Sequence, residues 1–283
     1  MNTQPYDIDT LLDEVVTLPS MPMALEQVMA LMDDPNASMA DVGRAISADP
    51  AISLKTLRLV NSAYYGLGQE VKTVDHAVVL LGGRVVRNLV LSATVFSAIE
   101  GMAERFVRHA VATGVAMRTV CSAGPLTTYV GSPEEGFVYG LLHEIGKVLI
   151  MEYMPDENKE VANMVAAGAQ PYLAEQQVIG VDHAAIGARL AERWHLAPGV
   201  VEALQGQYEL NRAATEYRPV AAGLQLANYI CEASGYCSEA KPLAVLESAT
   251  LPACGITAAT LPETLERFFN ARTQIDELLR MAG

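Results

Sequence analysis

Basic residues are scarce in this sequence. Nineteen Lys and Arg face 33 Asp and Glu, giving a formal net charge of -14, so the broad basic surface that neutralises phosphate backbones is missing and a general nucleic-acid binder is excluded. Cysteine is nearly absent too: Cys121, Cys231, Cys237 and Cys254 form no C-x-x-C pair. A disulfide framework and a cysteine zinc site are therefore not expected. Aromatics make up 6% of the chain against 51% hydrophobic residues overall. A core of Ala, Leu, Val, Ile and Met favours helix over sheet. No apolar run reaches the ~18 uninterrupted residues of a membrane span; the nearest, 85–99, carries Arg87 and Asn88. The first residues, "MNTQPYDIDTLLDEVV", lack a basic stretch followed by an apolar one, so no secretory signal is expected and the chain reads as cytoplasmic. Long Pro, Gly or Ser linkers and repeats of 20–50 residues are also missing.

What is present is dense helix punctuation. Asp49 before Pro50 places a cap ahead of a proline at the first helical position. Ser38 with Asp41, and Ser132 followed by Pro133, Glu134 and Glu135, open two more helices. Gly66, Gly68, the pair Gly82-Gly83, Gly124-Pro125 and Gly131 mark stops or turns. Alternating β-branched runs are hard to find, so the expected fold is all-α, a bundle of roughly a dozen helices with little or no sheet. Residues 101–104 are the best boundary, dividing an N-terminal helical subdomain (1–100) from a second one (101–283) that ends in a helical extension. The segment 261–283, with apolar positions at Leu265, Phe268, Phe269, Ile275, Leu278 and Leu279, reads as one last helix packing back on the body.

Three segments occur in a telling order: "LPSMPMALEQVMALMDD" (18–34), "ISADPAISLKTLRLVNSAYYG" (46–66) and "TVDHAVVLLGGRVVRNLVL" (73–91). Together they resemble the HDOD domain, a bacterial all-helical signalling module related to the HD phosphohydrolases, over about residues 15 to 230. The polar groups of "NSAYYG" have a plainer explanation as well, because Asn61 and Ser62 at a helix end can satisfy backbone groups. Arg84 and Arg87 read either as a solvated face or as an anion or partner contact.

The resemblance carries a candidate metal site. In HD phosphohydrolases a histidine, a following His-Asp pair and a later aspartate hold a divalent ion that activates water. His109 and His143 match the two histidines. Glu144 stands where the family has Asp, its extra methylene moving the carboxylate by ~1.5 Å, and the late aspartate falls on the neutral Asn228. His183 matches an additional family histidine, whereas a later histidine pair falls on Gln207 and Tyr208. The metal set is then His109, His143, Glu144 and Asn228, with Fe, Mn, Mg, Ni or Zn as candidate ions. Lys147, Arg84 and Arg87 are candidate ligand contacts, as is His183. Lys147, four residues after His143, reads as sharing its helical face, either reaching a phosphate or extending its amine into water. The histidines themselves can equally be satisfied core residues.

With the constellation incomplete, no catalytic residue is expected. The resemblance implies a non-catalytic signalling module binding proteins of sensor-kinase, receiver or cyclic di-GMP pathways. The rivals are a metal-dependent phosphohydrolase of nucleotides or cyclic dinucleotides, and a pocket that binds a small regulatory ligand beside Lys147 and His183 without cleaving it.

Overall fold

The computed structural model describes residues 23–62, 64–238 and 246–282. The N-terminal stretch and the Leu18–Pro22 opening of the family pattern lie outside them. Among the described residues there are sixteen α-helices and two 3-10 turns, and no strand. The all-α expectation holds.

In chain order the helices are α1 (Met23–Asp33), α2 (Met39–Ser47), α3 (Pro50–Val60), α4 (Val74–Ala98), α5 (Glu104–Ala123), α6 (Thr127–Val130), α7 (Pro133–Leu142) and α8 (Ile145–Tyr153). They continue as α9 (Pro155–Ala166), α10 (Pro171–Val178), α11 (His183–Arg193), α12 (Pro198–Gly206), α13 (Arg218–Ala233), α14 (Thr250–Cys254), α15 (Leu261–Asn270) and α16 (Arg272–Ala282), with the 3-10 turns at Leu210–Arg212 and Thr215–Tyr217. The residues fall into two compact units: one within 108–268, the other comprising 23–107 and 269–282.

In the second unit, α2 and α3 pack on α4, and α1 packs on α2 and α4. The caps form as their sequences dictate. Ser38 and Asp41 make a reciprocal capping box, and the Asp49 carboxylate accepts from the amides of Ala51 and Ile52 ahead of Pro50. Asn61 serves the backbone: its amide donates to the carbonyls of Leu57 and Val71, and its oxygen accepts from the Val71 amide at 2.7 Å. This closes the loop between α3 and α4 without any ligand.

By length and composition α4 is apolar enough to cross a membrane, yet 61% of its most apolar window is buried within the protein. Gly82 also leaves helical geometry at φ 76°, ψ 162°, dividing it into 74–81 and 83–98, each shorter than the ~20 residues a span requires. The Gly82-Gly83 pair thus breaks a helix rather than ending one. The expected single last helix is likewise two, α15 and α16, parted at Ala271. Asn270 at the break is a residue that favours helix ends. Phe268, Ile275 and Leu278 are buried, whereas Phe269 is 42% exposed.

In the unit within 108–268, α11 packs on α8 and α12, and α13 on α12 and α14. Two glycines set the closest approaches. A Cβ on Gly140 of α7 would run into the backbone carbonyl of Thr113 on α5, and one on Gly146 of α8 would run into the carbonyl of His183. Helix axes approach this closely only where no side chain intervenes. Thr113 lies one turn beyond His109, and Gly140 three residues before His143, so this contact brings the two histidines together. Gly140→Ala is therefore expected to cost about 1–3 kcal/mol through overpacking, read as a lower midpoint in urea unfolding, whereas Gly68→Ala changes no packing, since nothing lies within 4 Å of a Cβ there.

Candidate metal centre

The sequence "LLHEIGKVLIM" looks like one helix, but the structure breaks it. Helix α7 ends at Leu142 and α8 begins at Ile145, leaving His143 and Glu144 at the junction, with Glu144 at φ -108°, ψ 15°. Gly146, in the first turn of α8, lets that helix seat directly against the His183 carbonyl at the start of α11. Lys147, beyond the break, shares no continuous helical face with His143, correcting the sequence reading. It lies in the first turn of α8, where its amide donates to the Glu144 carbonyl at 2.9 Å and its ammonium pairs with Glu144 Oε1. Nor does the amine extend into water: Lys147 is only 8% exposed.

The two histidines meet directly. His109 Nδ1 lies 2.6 Å from the Tyr236 carbonyl, and His143 Nδ1 lies 2.7 Å from the Gly140 carbonyl. A carbonyl only accepts, so both Nδ1 atoms carry the proton in these tautomers and both Nε2 atoms present lone pairs. Those two Nε2 atoms are 2.9 Å apart. Two lone pairs at that distance repel unless a proton or a cation lies between them.

Glu144 completes the cluster. Its Oε1 takes the Lys147 ammonium and the Ser238 hydroxyl, the latter at 3.0 Å. Its buried Oε2 has no hydrogen-bond partner and stands 3.9 Å from His109 Nε2. One ligand atom from each of His109, His143 and Glu144 lies within 4.8 Å of the others. Two ligands ~2.1 Å from one ion are about 3.0 Å apart at right angles and about 4.2 Å when opposed. The two separations from His109 Nε2, 2.9 Å to His143 Nε2 and 3.9 Å to Glu144 Oε2, match that range, while the full set spreads up to 4.8 Å, so His109 Nε2, His143 Nε2 and Glu144 Oε2 fit a divalent ion once the Glu144 carboxylate closes by a few tenths of an ångström. Bound there, an ion supplies Lewis acidity and a more acidic water.

Protonation agrees with this use. Burial, the largest influence, pushes the His143 imidazole down to about 3, favouring the neutral ligand form. For Glu144, burial alone would raise the carboxyl, but Lys147 and then the two histidines outweigh it and hold the group well below the usual carboxylate range.

The remaining expected positions serve other purposes. Asn228, buried on α13, offers a neutral oxygen with no hydrogen-bond partner. Gln207 braces the junction, its amide donating to the His143 carbonyl at 2.9 Å, while its own oxygen has no hydrogen-bond partner. His183 is engaged at both ring nitrogens: Nδ1–H donates to Glu175 Oε2 at 2.6 Å, and Nε2 accepts from the Tyr208 hydroxyl at 2.8 Å. Burial pushes the Tyr208 phenol well above 10, which keeps it a donor, and Tyr172 stacks on its ring at 4.6 Å. Arg84 is exposed and Arg87 half-buried on α4; they belong to the other unit, whereas every residue of the cluster lies within 108–268. Glu175 and Ser238 were not legible as functional, because neither belongs to a motif and Ser238 acts on Glu144, far away in sequence.

Both shifts make the protein acid-sensitive. An unfolded histidine takes a proton below about 6.5 that folded His143 refuses until about 3, so the unfolded state binds more protons and stability falls as pH drops through that window, by up to ~1.4 kcal/mol per unit. Glu144, depressed from 4.5, adds a loss that begins as pH falls below that value. Thermal unfolding in chelator between pH 7 and 4 is expected to show this decline, and His143→Asn is expected to flatten its upper part.

Comparison with known proteins agrees with the geometry. The HDOD domain family matches residues 18–210. A candidate phosphohydrolase from Shewanella amazonensis SB2B is 29% identical, with a TM-score of 0.75 over 96% of this chain and 98% of its own. A candidate signal transduction protein from Marinobacter aquaeolei VT8 is 22% identical with a TM-score of 0.74, covering 97% of this chain and 60% of that one. An uncharacterized protein of Treponema pallidum (strain Nichols) is 26% identical over 220 residues, 76% of this chain. The chain spans only 42% of that relative's length. With the family pattern matching across two thirds of its length, and with a His-His-Glu cluster within its described residues, the chain belongs to the HDOD domain family.

Proposed function

We propose that the chain is a non-catalytic regulatory module that acts in the cytoplasm by binding protein partners. The observation that carries this reading is the state of Glu144: the only carboxylate in the cluster is already neutralised by the buried ammonium of Lys147. A metal hydroxide competent at phosphorus needs anionic ligands to hold the ion and an open cationic contact for the phosphate. Here the amide of Asn228 replaces the second expected carboxylate, Gln207 and Tyr208 replace a histidine pair, and Lys147 is committed to Glu144 and Ser238. Three donors suffice to retain an ion; they are poorly suited to turnover.

The similar protein from Marinobacter, described as a signal transduction candidate, supports the same direction. By family resemblance the partners are sensor kinases, receivers or cyclic di-GMP pathway proteins, with Arg84 and Arg87 as a partner contact. The rival phosphohydrolase reading draws on the converging imidazole lone pairs and on the Shewanella relative. Protein prepared without chelator is expected to show no hydrolysis of cyclic di-GMP or of bis-p-nitrophenyl phosphate with Mn2+, Fe2+, Ni2+ or Mg2+. Turnover that disappears in His143→Ala would overturn the non-catalytic reading.

A further inference from the structure

We infer that Lys147 is a built-in cation that sets how weakly the His109–His143–Glu144 cluster holds a divalent ion. The inference rests on the cluster being a binding site and extends that reading to its regulation. Lys147 engages Glu144 through Oε1 alone, and Ser238 donates to the same oxygen at 3.0 Å. The other oxygen, Oε2, is buried, without a hydrogen-bond partner, and is the one nearer His109. The carboxylate is therefore divided, one oxygen for the lysine and one for an ion.

Two opposite consequences follow for an ion. Fixing Oε1 orients Oε2 toward the imidazoles, which helps binding. Placing an ammonium on the far side of the same carboxylate opposes it, because a divalent ion about 2.1 Å from Oε2 then lies within a few ångströms of a like charge. Repulsion scales with the product of charges and inversely with dielectric and distance. Glu144 is 3% exposed and Lys147 is 8% exposed, so water screens the repulsion poorly. Two neutral imidazoles, one carboxylate and one ammonium sum to zero charge, where the same site without the lysine would present a net negative one. Ser238 fixes the oxygen in either case, so orientation is only partly lost with the lysine, whereas the charge is lost entirely. The charge effect dominates, and Lys147 keeps affinity low.

The test is the apparent Kd of Zn2+ alone and of Ni2+ alone, read on the full chain by competition with a chromophoric chelator and with folding followed by circular dichroism. Lys147→Gln keeps a donor for Oε1 and removes the charge; it is expected to bind at least about tenfold tighter than the wild type. Lys147→Arg keeps the charge and is expected to stay within about threefold of it. Adding His143→Ala to Lys147→Gln is expected to abolish the gain, which locates it at the cluster. Lys147→Met is expected to tighten binding as well; should it fail to fold because Glu144 is left unpaired, Lys147→Gln reads the same sign. Equal or weaker binding in Lys147→Gln overturns the inference, as does a gain that survives His143→Ala. Hydrolysis by the wild type would overturn the non-catalytic reading without altering this affinity ratio, and a ratio of one would overturn the role of Lys147 without bearing on hydrolysis.

Discussion

Two imidazole nitrogens face each other at 2.9 Å with their other nitrogens spent on backbone carbonyls, and the surrounding structure is arranged around that contact. It needs helices α5 and α7 closer than ordinary side chains allow, which Gly140 against Thr113 provides. It needs both rings held against rotation, which the carbonyls of Tyr236 and Gly140 do. It also needs positive charge between the nitrogens, supplied by a proton or an ion. Burial disfavours the proton on His143, so the pair is strained toward accepting a cation.

Glu144 and Lys147 act on the same problem from the other side. A buried carboxylate near two imidazoles would attract an ion strongly, and the adjacent ammonium cancels most of that attraction. The segment 236–238 ties these elements together: the Tyr236 carbonyl holds His109, Ser238 holds Glu144, and the Tyr236 ring meets Phe268 edge-on at 6.1 Å while Arg108 lies over its face at 5.4 Å.

Much of this was legible in the residues. A core poor in aromatics and rich in Ala, Leu and Val reads as helical, and the caps at Ser38 and Asp49 are local chemistry that forms as written. His109, His143 and Glu144 could be picked out because the family pattern fixes their spacing. The helix break at His143–Glu144 could not, because neither position carries a glycine or proline to mark it. Lys147 has both Glu144 three residues before it and His143 four residues before it within helical reach, so spacing alone did not say that its ammonium pairs with Glu144 Oε1. The kink at Gly82 and the split of the last helix at Ala271 show the same limit, since a period of 3.6 continues through residues whose backbone does not.

The buried polar groups are what a purely structural account cannot absorb. Replacing a buried ion pair by apolar side chains of similar volume is often neutral or stabilising, and each buried acceptor left without a donor costs about 1–3 kcal/mol. Glu144 Oε2, Gln207 Oε1 and Asn228 Oδ1 are three such acceptors within one unit, alongside the unrelieved imidazole pair. A scaffold needed only for its shape would be more stable with leucine or methionine at these positions. The polar interior makes physical sense if the cluster is sometimes occupied, because a cation drawing on the imidazole lone pairs and on Glu144 Oε2 relieves the largest of these costs at once, while Lys147 keeps that occupancy reversible.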